Sequence, residues 1–185
     1  MSVTQPITIT TEEKSQLANS LAATRDRLLQ AVNRLTEQQV AAKPGPECWS
    51  IADILEHLAT FETTVHGLIE QIPNLPALGS DHARDEIDEF IAATVADRTR
   101  KLVTPPQGIP SQRWTPAVTL QRFLEARTRT LELLDTDCVL RGRGIPNPLY
   151  ERGPWDGYEW LLALAVHTAR HTEQAEEVKR AVSGG

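Results

Sequence analysis

With 185 residues, 25 Asp and Glu against 19 Lys and Arg, and a formal net charge of −6, the chain suits one domain around a single core. It carries no basic run of the length that would attract a phosphate backbone, which excludes nucleic acid as a partner. Its longest apolar run, the seven residues Trp160 to Val166, is far short of the ~20 needed to cross a bilayer, which excludes a membrane span.

The opening MSVTQPITITTEEK shows no basic segment followed by an apolar one, so nothing marks it for secretion and the expected location is the cytoplasm. Cys48 and Cys138 stand far apart and in no CxxC arrangement. That fits a reducing compartment, and both are expected to be ordinary buried thiols.

Thr10 followed by Glu13 makes a capping box, and Leu17, Leu21, Leu28, Val32 and Leu35 recur behind it at helical spacing. The first helix is therefore predicted from about Thr11 to about Ala41. KPGPE, Lys43 to Glu47, stops it with two prolines and a glycine. Ser50 is an N-cap with Asp53 three residues on, and Ile51, Ile54, Leu58, Phe61, Val65 and Leu68 follow at steps of three and four. The second helix spans about Ile51 to Gln71.

IPNLPALGS, Ile72 to Ser80, reads as a surface connection. A third helix is predicted from Asp81 to about Val103, opening on Asp81, Asp85 and Glu86 with Ile87, Phe90, Ile91 and Val95 on one side. TPPQGIPSQRW, Thr104 to Trp114, is a further linker. Thr115 then caps a helix with Pro116 at its first position, made amphipathic by Leu120, Phe123, Leu124, Leu131 and Leu134 up to about Asp137. After the Gly- and Pro-rich loop Leu140 to Pro154, the last helix runs from about Trp155 to Val182.

No strand-like alternation of useful length appears. The fold class is all-α, an antiparallel four-helix bundle whose core-facing positions can carry a ligand or metal. The long connection holding the third helix allows a crossover instead of plain up-down order.

Two of the five histidines fall on the inward stripe of the last helix, where Trp160, Leu164, His167, His171, Gln174 and Val178 are spaced 4, 3, 4, 3 and 4. Residues i and i+4 lie one above the other, so both imidazoles can reach one point. Unpaired in a core, each would cost on the order of 1–3 kcal/mol, and a metal ion would compensate both. His57, between Ile54 and Phe61 on the second helix, points to similar apolar company and is the candidate third ligand. His66 lies off that stripe and His82 sits at a helix start, so both are left out. The blander alternative is that the histidines bond carbonyls. Thr168 stands where an HExxH zinc protease has its glutamate, which disfavours that class.

These elements resemble the DinB superfamily of metal-binding four-helix proteins: PGPECWSIADILEHLATFE, Pro44 to Glu62, then NPLYERGPWDGYEWLLALAVHTARHTEQAEEV, Asn147 to Val178. The shared pattern is Trp49-Ser50-Ile51, His57, then His167, His171 and Gln174. The resemblance implies up-down-down-up topology with a crossover between the second and third core helices, and a divalent ion, often nickel or zinc, on the three histidines. It also implies frequent homodimers. Relatives are described as thiol S-transferases using bacillithiol or mycothiol, as a maleylpyruvate isomerase and as hydrolases.

Three neutral imidazoles leave an ion an open position, as in catalytic zinc sites. Asp53 and Gln174 are candidate partners for the outer ring nitrogens, although Asp53 also has a plain capping role and Gln174 a plain core hydrogen bond. Arg141 and Arg143 could greet an anionic substrate, or belong to a solvated turn. Tyr150, Trp155 and Trp160 could line a pocket or simply pack. The expected function is a metal-dependent enzyme acting on a small molecule, a thiol transferase or a hydrolase. The alternatives are a bundle whose ion only stabilises fold or dimer, and a metal-free partner-binding module.

Overall fold

The computed structural model describes residues 8–79, 82–99, 103–136, 140–145, 147 and 153–183. Helix α1 spans Thr11–Val32 behind the expected capping box, with the Glu13 N–H donating to Thr10 Oγ1 at 3.1 Å and the Thr10 N–H to Glu13 Oε2 at 2.7 Å. It does not run on to Ala41. Arg34 takes a left-handed φ of 64°, and a short helix α2, Glu37–Ala41, restarts behind a second capping box of Thr36 and Gln39. Thr36 adopts the extended backbone of an N-cap, which ends one helix in order to begin another.

Helix α3, Ile51–Ile69, starts at the Ser50 and Asp53 box as predicted. Helix α4 is Arg84–Ala96, shorter at both ends than the periodicity suggested; the expected start at Asp81 lies outside the described residues. Its end follows from Asp97, whose carboxylate accepts the Thr99 N–H at 2.9 Å and forms a local turn that competes with the helix. Helix α5 is Pro116–Leu133 behind Thr115. Helix α6, Gly157–Ser183, opens on a reciprocal pair: the Glu159 N–H donates to Asp156 Oδ1 at 3.0 Å and the Asp156 N–H to Glu159 Oε2 at 2.7 Å. Short 3-10 turns sit at Ile72–Asn74 and Pro106–Gly108. Strand-like pairing among the described residues is limited to the isolated bridges Ala77 with Arg143 and Ile145 with Trp155.

Side-chain pairs fix the directions. Glu62 meets Arg127 and Glu70 meets Arg129, so α3 and α5 run parallel. Arg27 meets Glu173 and Lys179 meets the Ala31 carbonyl, so α1 and α6 run parallel. On α3 against α6, Phe61 faces His167 while the earlier Trp49 faces the later His171, so these two are antiparallel. The order is up-down-down-up, with α4 inside the crossover and packed on α6.

The core has two apolar halves. One gathers Leu17, Leu21, Val65, Ile69, Ile91, Leu161 and Leu164. The other gathers Leu28, Ile51, Ile54, Leu58, Phe123, Ala175 and Val178. A polar layer also lies in the interior. Arg127, wholly buried, donates to Glu62 Oε1 at 2.6 Å, to the Leu21 carbonyl at 2.7 Å and to Thr168 Oγ1 at 2.7 Å. No helix among the described residues is long and apolar enough to cross a membrane.

Candidate metal centre

His167 and His171, one turn apart on α6, face His57 across the bundle, as the helical stripe requires. His167 Nε2 lies 3.1 Å from His57 Nε2 and 3.1 Å from His171 Nε2. Metal–nitrogen bonds of about 2.0–2.1 Å subtending tetrahedral to right angles separate their donor atoms by roughly 2.9–3.4 Å. The observed spacing is therefore that of ligands on one face of a cation.

The outer nitrogens decide which tautomers are present. His57 Nδ1–H donates to the Gly108 carbonyl at 2.8 Å, and His171 Nδ1–H donates to Gln174 Oε1 at 2.8 Å. Both rings thus turn a bare Nε2 lone pair inward. The Nε2 of His167 could donate to one neighbour but not to both, so lone pairs are left facing one another. A cation at their centre fits this donor set better than protons do. His167 Nδ1 is buried and has no hydrogen-bond partner.

Burial pushes all three histidines towards the neutral form. His57 is lowered by desolvation, partly opposed by its bond to Gly108. His171 is pushed down to about 3 by burial and by the neighbouring His57. His167 is lowered well below its ordinary value by burial and by both other rings. Neutral imidazoles are the form that binds metal.

Aromatic rings flank the site. Trp49 stands 5.0 Å from the His57 ring and stacks on His171 at 6.1 Å, and Phe61 lies 4.5 Å from His167. The Pro106–Gly108 turn lies against His57; a Cβ on Gly108 would meet the His57 ring at 3.5 Å and Thr104 Cγ2 at 3.2 Å.

Of the candidate partners for the outer nitrogens, Gln174 bonds His171. Asp53 does not bond His57. Its carboxylate accepts the Ser50 N–H at 2.9 Å, Lys43 Nζ at 3.0 Å and Gln112 Nε2 at 3.2 Å, and these bonds hold it below the ordinary range despite burial. The Gly108 carbonyl, in a stretch read as a surface linker, does that work instead. Every residue carries a carbonyl, so only the turn-forming PPQG hinted at it.

Arg141 and Arg143 are not at the mouth of the centre, nor do they form a solvated turn. Arg141 is 2% exposed and donates to Glu13 Oε1 at 2.8 Å and Asp88 Oδ2 at 2.9 Å, with Asp156 at 3.5 Å. Glu159, also beside Arg141, lies eight residues before His167, about 12 Å along α6. Arg143 donates to the Leu75 carbonyl. His82 meets Glu159 Oε1 at 2.9 Å, and burial beside Asp156 pushes the Glu159 carboxyl up to about 8. His66 meets Thr130 Oγ1 at 2.8 Å in the polar layer. Trp155 and Trp160 pack on each other in the core at 5.1 Å. Cys48 is exposed, contrary to expectation; Cys138 and Tyr150 lie outside the described residues.

A crossover four-helix bundle with three convergent interior imidazoles defines a histidine-centred helical protein whose donors suit a divalent metal. The chain belongs to the DinB superfamily, whose family model matches residues 20–175. Among similar proteins is one from Bacillus subtilis (strain 168) called uncharacterized protein YuaE. It is 24% identical over 156 residues, 80% of this chain and 88% of its own. The solved structure of YfiT from Bacillus subtilis is described as a probable metal-dependent hydrolase with an unusual four-helix bundle topology. It covers 97% of this chain and 92% of its own at a TM-score of 0.61 and 17% identity, a likeness of fold.

Proposed function

We propose that His57, His167 and His171 hold a divalent cation, nickel or zinc, and that the protein is a metal-dependent hydrolase of a small molecule. The observation that carries this is the convergence of three Nε2 atoms whose rings are locked from outside by Gly108 and Gln174. The description of YfiT, a protein of the same fold, supports the choice of hydrolysis.

A bound divalent ion with an open position would supply Lewis acidity to a substrate carbonyl and acidify a water or thiol. The chain's own part is to present three neutral donors, hold His57 and His171 in one tautomer, and flank the centre with the rings of Trp49 and Phe61. Transfer to a low-molecular-weight thiol uses the same Lewis acidity and is the competing reaction of the same site. A homodimer, expected from the resemblance, completes the proposal and is checked by light scattering.

The test is metal content of the purified protein beside a His167→Ala/His171→Ala variant, followed by turnover of simple esters and amides, then of electrophiles with thiols. Metal bound by the wild type and lost in the variant, with ester or amide cleavage, is the expected result. Undiminished metal in the variant would overturn the ligand set. Metal without turnover would leave the ion a role only in the stability of the fold.

A further inference from the structure

Glu56 precedes His57 on α3, and at about 100° per residue the two side chains leave the helix in different directions. His57 turns to the other imidazoles. The Glu56 carboxylate, 2% exposed, turns to the segment that follows the Pro106–Gly108 turn. It accepts the Ser111 N–H at 3.0 Å, Ser111 Oγ at 2.9 Å, the Gln112 N–H at 2.9 Å and Arg113 Nε at 3.1 Å. Four donors from three consecutive residues thus converge on one buried anion.

The gathered segment is held in a conformation it would not choose alone. Gln112 has a φ of 57°, a left-handed value that non-glycine residues adopt only when their surroundings over-determine it. Its N–H is fixed by Glu56 and its side chain donates to Asp53 Oδ1 at 3.2 Å. Only Ile109 and Pro110, the latter with a fixed φ, separate Ser111 from Gly108. Gly108 in turn is closed on Pro105 by its own N–H at 2.8 Å and offers its carbonyl to His57 Nδ1.

We propose that Glu56 is the positioning residue of the histidine centre: by clasping residues 111–113 onto α3, it sets the Gly108 carbonyl against His57 and so decides which nitrogen of His57 faces the other two rings. This rests on the metal-binding proposal above for its consequence, not for its geometry. His171 needs no such device, because Gln174 on its own helix supplies the acceptor.

Two measurements separate the ideas. In the metal-free protein, nitrogen-15 spectra of the imidazoles should show a protected Nδ1–H on His57 and another on His171. Glu56→Gln, which turns one acceptor into a donor, should lose the His57 signal and keep the His171 signal. In chelator competition with zinc or nickel, the same variant should bind about 10- to 100-fold more weakly, the usual effect of losing a partner of a ligand. Ser111→Ala/Arg113→Ala removes two of the four bonds from exposed loop residues and decides the matter if Glu56→Gln does not fold.

A folded Glu56→Gln that keeps the His57 signal, a folded Ser111→Ala/Arg113→Ala in which that signal is as protected as in wild type, or either variant binding the ion as tightly as wild type, overturns the clasp. Wild-type protein that binds no ion overturns the metal reading alone, because the His57 signal still reports the clasp.

Discussion

Arg127→Met places a flexible apolar side chain of similar length in the polar layer and removes a guanidinium that is wholly buried. Glu62, 1% exposed, would lose its charged partner and keep Thr130. An unpaired buried carboxylate of this kind typically destabilises by about 3–5 kcal/mol, a large part of the roughly 5–15 kcal/mol that holds a domain folded. The other groups touched by Arg127 have alternatives. Thr168 Oγ1 donates to the Leu164 carbonyl at 2.8 Å, and the Leu21 carbonyl accepts Thr24 Oγ1 at 3.2 Å. Adding Glu62→Leu should therefore restore much of the loss, because the double variant leaves no buried charge behind. Urea unfolding followed by circular dichroism, with the slope unchanged across the series, reads the cycle. A loss under about 1 kcal/mol for Arg127→Met, or a double variant less stable than it, would refute the charge argument.

Removing the metal with a chelator should lower the melting temperature, since an ion at 100 times its dissociation constant stabilises by about 2.7 kcal/mol; a His171→Ala variant should show no response in the same thermal scan. The metal-free protein should lose stability as pH falls from the ordinary histidine value towards 3. His171, pushed down to about 3, stays neutral in the fold while the unfolded chain takes up protons across that window. Glu159 acts with the opposite sign: its folded value of about 8 lies above the usual 4.5, so its contribution is full below 4.5 and is lost as pH rises through 8. Glu159→Gln should flatten the alkaline side of a stability profile measured by urea titration at successive pH values. Gly157→Ala should destabilise by about 1–3 kcal/mol through overpacking, because its Cβ would lie 2.6 Å from Ile72 Cδ1 and 3.1 Å from the Leu140 carbonyl; a melting temperature equal to wild type would contradict this.

The helix starts at Thr10, Ser50 and Thr115 could be read from the sequence because capping is local: donor and acceptor lie three residues apart. The histidine stripe was readable for the same reason, since 3.6-residue periodicity fixes which side chains share a face. The break at Arg34 was hidden because Leu35 continues the apolar spacing, while Thr36 and Gln39 carry the stronger local signal. Glu62 and Arg127 are 65 residues apart, and Arg141 reaches Glu13 across 128 residues. No local pattern announces such pairs, which depend on topology. The acceptor for His57 was the least visible part of the centre, being a backbone atom in a proline-rich connection.

The crossover that makes α3 and α5 parallel also makes the centre depend on segments far apart in the chain. His57 finds His167 across 110 residues and Gly108 across 51, so no contiguous half of the polypeptide holds the complete set. Each of those closures carries an entropy loss before any contact rewards it. An ion bound with native affinity would therefore report that α3, the Pro106–Gly108 turn and α6 have come together.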